Sequence, residues 1–265
     1  MGEEITRALI FAGLAWLTFA PLERLGATHR EPRPERLVDT GFATVGVVVM
    51  QVGVSLAMAG VLMLLDALRP ERPLFADVGS RGLRIAAEVV VGLLVFDLFG
   101  YAYHRLAHAV PWMWRFHAVH HSSTRMDGLA SFRQHPVELV LVTVVQNTPL
   151  LLLGIPLGAH AFVLLALRLH TVFVHADLQL HTWFWRTLIA GPEVHHRHHD
   201  RDLPPRNYAA MFPWIDRLFR TYDARRATIF GTFPALPTTF TGLLLHPFRT
   251  SSHPRHGGRP APHRD

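Results

Sequence analysis

Cysteine is absent from the 265 residues, and so is lysine. Without thiols there is no disulfide framework, no cysteine zinc site, no iron–sulfur cluster and no thiol nucleophile. Any metal chemistry must use His, Asp and Glu. The missing lysine makes all 26 basic residues arginine. Codon bias accounts for this, and no function is read from it. Charge of either sign is scarce: charged residues make up 17%, against roughly 25% in an ordinary soluble domain. Hydrophobic residues make up 49%, ample apolar surface to bury, which excludes a disordered chain. The formal charge of +6 comes with no nucleic-acid recognition motif. The arginines stand between apolar stretches, which fits loops beside an anionic membrane surface rather than a nucleic-acid groove.

The apolar stretches are long. The first runs from Ile5 to Ala20 and is expected to stop at Pro21. The second, Phe42 to Leu65, has 24 residues and no charge. The third runs from Ile85 to Tyr103. The fourth, Val137 to Leu153, breaks at Gly154-Ile155-Pro156 and resumes as a fifth from Leu157 to Val174, which reads as a helical hairpin. A bilayer-spanning helix needs about 20 apolar residues, and the second and third qualify. The start of the first is acidic, unlike a signal peptide, so it reads as a retained helix. The expected fold is an all-α integral membrane protein, with four to five membrane helices and a helical, His-rich cap. The expected organisation is residues 1–82 as N-terminal membrane helices, 83–224 as the catalytic block, and 225–265 as a C-terminal segment ending in a basic, disordered tail. An even number of crossings separates the two His-rich stretches, so they share one side. The Arg-rich tail puts that side in the cytoplasm.

Histidine occurs 19 times, and three clusters have ligand spacing: His104/His108, His117/His120/His121 and His195/His198/His199. Residues three and four apart share a helix face, so each cluster is expected to aim its imidazoles at one point. Eight imidazoles exceed what one tetrahedral ion needs and suffice for two. Imidazole suits iron, zinc, copper and nickel, so spacing does not name the metal. Asp97 lies in an apolar run, where a carboxylate is costly and usually functional. It shares a face with Tyr101, His104 and His108, and is expected to accept the second ring N–H of a metal-bound histidine. An ion pair with a nearby arginine is the alternative. His196 is expected to face elsewhere. His29, His253, His256 and His263 read as loop and tail residues.

With their surroundings, the three clusters resemble the histidine boxes of the fatty acid hydroxylase/sterol desaturase superfamily of membrane di-iron oxygenases. Asp97-Leu-Phe-Gly-Tyr101-Ala-Tyr-His104-Arg105 is similar to the approach to its first box, and Trp114-Arg-Phe-His117-Ala-Val-His120-His121-Ser122 to its second. Pro192-Glu-Val-His195 opens the third. Arg133-Gln-His135-Pro136-Val-Glu138, Phe173-Val-His175-Ala-Asp177, Asn207-Tyr208, Trp214-Ile-Asp216 and Phe219-Arg-Thr-Tyr222 resemble further family segments. The family more often has Asn at position 177 and Gly at 220. The resemblance covers about Ile85 to Tyr222. It implies that the eight box histidines and His175 are metal ligands and that His135 lies behind them or joins them; His170 and His181 stand near enough to contribute and read as structural. It further implies two iron ions, with zinc as a substitute in purified protein, acting on O2 to hydroxylate or desaturate a fatty acyl or sterol-like lipid.

No haem-attachment motif or dinucleotide fingerprint is present, so electrons would come from a separate ferredoxin or cytochrome-type donor. Arg197, Arg201, Arg206, Arg217, Arg225 and Arg226 are candidates for a face that docks an acidic donor. A carotenoid hydroxylase uses similar boxes. Two other classes remain as alternatives: a zinc-dependent membrane hydrolase, which would need a catalytic Glu inside a box, and a metal carrier, which would favour intramembrane ligands.

Overall fold

The computed structural model describes residues 2–26, 35–68, 70, 72, 74–178, 180 and 186–249. The expected C-terminal tail, His29, His181, His253, His256 and His263 lie outside the described residues. Every regular element among the described residues is helical.

Helix α1 (Gly2–Gly26) does not stop at Pro21, which sits inside it. A proline forfeits one N–H bond and crowds the carbonyl four residues back. The turn beyond it is held from outside: the Glu23 carboxylate accepts the N–H groups of Gly128 at 2.7 Å and Asp177 at 3.1 Å. Next come α2 (Arg36–Gly41), a π-turn (Phe42–Gly46), α3 (Val47–Leu65) and a 3-10 turn (Asp66–Leu68), forming one continuous rod. Helix α4 (Arg81–Ala109) is capped by the Ser80 hydroxyl and followed by α5 (Pro111–His121). A 3-10 turn (Gly128–Phe132) leads to α6 (Pro136–Leu152) and α7 (Leu157–His175). Gly154, at φ +66°, makes the tight turn between them. Three short helices follow: α8 (Pro192–His198), α9 (Pro213–Leu218) and α10 (Phe240–Leu245).

By length and composition, α1, the Arg36–Leu68 rod and α4 can each cross a bilayer, and α6 and α7 are shorter apolar helices. The long helices alternate in direction. Glu23, near the C-terminal end of α1, meets Gly128. Asp39, at the start of the rod, meets Arg133. The C-terminal end of α4 carries His104 and His108, α6 begins and α7 ends at the same level, and α5 and α8 cover that end as a cap. Small residues let the helices approach: a Cβ on Gly92 of α4 would fall 2.8 Å from Val163 Cγ2 of α7. Phe96, Leu150, Val163 and Leu167 form the core between them. Around the outside, Leu14, Leu17, Leu56, Met63 and Phe162 are exposed. Satisfied helical backbone with apolar side chains facing outward is what a bilayer demands. This is an all-α membrane protein.

Candidate metal centre

Proline at the first position starts both cap helices, at Pro111 and Pro192, where its missing N–H costs nothing. The histidines they carry, with those of the last turns of α4 and α7, converge under the cap in two groups. One holds His104, His108, His117, His121 and His198, and the other His120, His175, His195 and His199. Within each group the facing ring nitrogens lie within 4.8 Å of one another. His117 Nε2 is the hub of the first, 3.1 Å from His104, 3.0 Å from His108 and 3.1 Å from His121. In the second, neighbouring Nε2 atoms stand 3.1 Å apart along His120, His175, His195 and His199.

Each three-histidine cluster was expected to aim at one point, and the structure divides both. Pairs four apart stay together: His104/His108, His117/His121 and His195/His199. The residues three along, His120 and His198, cross to the opposite group. At about 100° per residue, a partner four along is displaced by about +40° and one three along by about −60°, so a three-histidine box straddles two adjacent points. The groups touch where His121 stacks on His199, with ring centroids 4.3 Å apart.

The outer ring nitrogens are tied. His104 Nδ1 donates to the Tyr208 carbonyl at 2.8 Å, His198 Nδ1 to Arg206 at 2.7 Å, His120 Nδ1 to Arg133 at 3.1 Å and His175 Nδ1 to Thr171 at 2.7 Å. A carbonyl only accepts, so these Nδ1 atoms carry the proton and, in the neutral ring, Nε2 is a bare lone pair. Burial lowers the His117 pKa to about 3 and, together with neighbouring imidazoles, pushes His120, His121, His195 and His199 well below the ordinary value. These five rings are therefore neutral at physiological pH. His120 and His175 thus face each other at 3.1 Å with no proton between their Nε2 atoms. Two lone pairs at that separation repel unless a cation sits between them. The donor set fits a pair of imidazole-ligated metal ions.

The expected supporting residues are rearranged. Among the described residues Asp97 binds no imidazole and no arginine. Its carboxylate accepts the N–H groups of Ala210, Met211 and Phe212 at 2.7–3.2 Å. Non-helical backbone beside a membrane helix needs its donors satisfied by protein, and Asp97 does this for the loop that carries Tyr208. His135 joins neither group. Its Nδ1 accepts the Val137 N–H as the cap of α6, and Nε2 donates to the Leu244 carbonyl. The carboxylate behind the first group is Glu138, whose Oε1 lies 2.5 Å from His117 Nδ1. Its place three residues after His135, on the first turn of α6, was the available signal. Asp216 was also missed as a support: it accepts the N–H groups of Tyr208 and Ala209.

His170 joins neither group. His196 points away from both and donates to the His175 carbonyl. Arg197 belongs to no docking face. It is fully buried, paired with Asp223 and bonded to the Pro204 carbonyl, because the chain closing the third box wraps over it.

Residues 89–221, just over half of the chain, match the fatty acid hydroxylase family model. The chain belongs to the fatty acid hydroxylase family. It is 28% identical over 169 residues to an ornithine lipid hydroxylase of Rhizobium tropici, covering 62% of this chain and 51% of that one. It is 28% identical over 134 residues to the alkylglycerol monooxygenase of Homo sapiens, covering 49% and 30%. It is 32% identical over 145 residues to a cholesterol 25-hydroxylase-like protein of Danio rerio, covering 52% and 57%. The match thus spans between about a third and somewhat over half of these relatives' lengths. No solved structure matches the chain. In this fatty acid hydroxylase family member both imidazole groups draw on residues inside the matched segment.

Proposed function

We propose that this chain is a membrane-bound di-iron oxygenase that hydroxylates a C–H bond of a lipid, using O2 and electrons from an external carrier. The observation that carries the reading is the His120–His175 contact, two bare Nε2 atoms facing each other inside a cluster of nine buried or half-buried imidazoles. Iron held by the two groups would supply the reduction of O2 and the oxidation of the C–H bond. The protein's own part is placement. The carbonyls of Thr171, Arg133, Arg206 and Tyr208 lock four rings in the tautomer that ligates, Glu138 backs His117, and burial under α5 and α8 keeps water out.

The relatives' names support hydroxylation over desaturation and an amphiphilic membrane lipid as substrate. Placement of the cap in the cytoplasm rests on its arginines. A separate ferredoxin or cytochrome-type protein would supply the electrons, since the chain has neither a thiol for a cluster nor a dinucleotide fingerprint. Because the chain lacks cysteine, a single exposed Arg226→Cys label reports the side. Reaction from the cytoplasmic face is expected, and reaction from the outer face would reverse the orientation.

The deciding experiment is metal content on protein purified anaerobically in detergent, followed by lipid oxidation with a reducing system. About two irons per chain, O2 uptake and a lipid product gaining one oxygen atom are expected, with His120→Ala losing iron and turnover. A His120→Ala variant with full lipid oxidation would sink the reading. Head-group or acyl release without O2 uptake would favour a zinc hydrolase.

A further inference from the structure

The loop that supports the first imidazole group also carries exposed apolar side chains. Leu218 is 67% exposed, with Trp214 and Phe219 beside it. A second segment joins them: the Ala190 N–H donates to the Met211 carbonyl at 2.8 Å, bringing 63%-exposed Leu188 and half-exposed Ile189 to the same place. Exposed apolar side chains gathered on neighbouring segments mark an interaction surface rather than a water-facing cap.

Its depth follows from Asp97. At about 1.5 Å per residue, a hydrocarbon core of about 30 Å entered at Ile85 is left near His104. Asp97 then lies about 10 Å inside that boundary. The backbone of 210–212 is fastened to its carboxylate, so the patch straddles the interface of the leaflet on the cap side.

The charge at the patch has one sign. Arg217 and Arg220 are exposed, and neither has a carboxylate partner among the described residues. Arg217 lies 4.2 Å over the Tyr222 ring, which leaves its charge in place. The acid on α9, Asp216, is buried and occupied by Tyr208, Ala209 and Thr221. Arg220 holds φ +59°, a left-handed conformation unusual for a side chain of its size. Aromatic and aliphatic side chains beside unpaired arginines at this depth are the chemistry of a lipid headgroup boundary.

We propose that residues 206–220 form an interfacial strap that seats Trp214, Leu218 and Phe219 in the leaflet and binds anionic phospholipid headgroups through Arg217 and Arg220. The same strap supplies the Arg206 and Tyr208 carbonyls to His198 and His104, so its seat on the leaflet bears on the first group. The inference rests on the membrane fold and not on the oxygenase chemistry, and it stands or falls without metal.

The test is tryptophan fluorescence of the full chain in nanodiscs containing brominated phosphatidylglycerol or brominated phosphatidylcholine at equal mole fraction. The Trp214 contribution is taken as the difference from Trp214→Phe. Phosphatidylglycerol is expected to quench it at least twofold more, and the preference should vanish in Arg217→Gln/Arg220→Gly and at high salt. The salt arm keeps the test alive if the double variant does not fold. Equal quenching by both lipids would overturn headgroup selection. No quenching by either would overturn the strap altogether and leave the face to a soluble partner.

Discussion

His117 Nδ1 and Glu138 Oε1 stand 2.5 Å apart, both side chains buried. The other nitrogen of the same ring is the hub of the five-imidazole group. A carboxylate behind a ligating imidazole fixes its orientation and raises its basicity, so with a metal held by this group Glu138 would act on it through its central member. The four-imidazole group has backbone carbonyls at Thr171 and Arg133 in the corresponding role.

Glu138→Gln should therefore weaken metal retention selectively. Loss of such a partner costs about 10–100-fold in affinity. Chelator competition should show one ion released more readily and the second unchanged. Equal release of both, or of neither, would contradict this role.

Asp97 should matter for stability more than for chemistry. Replacement by Leu leaves three N–H groups without their acceptor, at about 1–3 kcal/mol for each buried donor left unpaired. A large fall in thermal stability in detergent is expected for Asp97→Leu and a smaller one for Asp97→Asn, which keeps one acceptor oxygen. Unchanged melting of Asp97→Leu would mean the loop is held otherwise.

The Arg197–Asp223 pair sets an acid limit. Burial works against the Asp223 carboxylate, but its hydrogen bonds with Arg225 and Arg197 outweigh that and hold its pKa below the ordinary value of 3.8. A carboxylate with a depressed folded pKa contributes stability that is complete above its unfolded pKa and lost as pH falls through the folded one. Asp223→Asn leaves Arg197 buried and unneutralised, a loss of about 3–5 kcal/mol. The stability gap between wild type and Asp223→Asn should be constant near neutrality, narrow as pH falls below about 4 and close only as pH falls through the depressed folded pKa, read by denaturant titration at several pH values. A gap that did not narrow below about pH 4 would refute the ion pair as its source.

His170 should be dispensable for metal. It is buried on α7 but joins neither group, so His170→Phe should retain the metal stoichiometry of the wild type. Loss of an ion in that variant would show that the coordination sphere extends further down α7.

Much of the fold was legible because a bilayer imposes its demand locally. Each run had to be apolar over a membrane's thickness, which the residues from Phe42 to Leu65 display without reference to anything else. Pro21 misled because a proline's effect depends on what holds the turn beyond it, and the Glu23 contacts with Gly128 and Asp177 come from residues more than a hundred positions away.

The nine imidazoles were legible as types and spacings, since helical periodicity brings neighbours to one face. Their sorting was not. Whether His120 sides with His117 or with His175 depends on how α5 meets α7 and α8, and a 100° displacement between positions three and four along decides it only once those helices are packed. The supporting residues were less legible still. Asp97, His135 and Glu138 all stand near the boxes in sequence. The geometry gives the loop at 210–212 to the first, the cap of α6 to the second and His117 to the third.

By itself the sequence determined the membrane, the helices and the imidazole chemistry, because hydrophobic length and side-chain type act over a turn or two of helix. Only the tertiary structure decided which imidazoles share a point, which carboxylate stands behind them and that Arg197 is buried. Those outcomes depend on directions and distances between segments far apart in the chain, which no local pattern encodes.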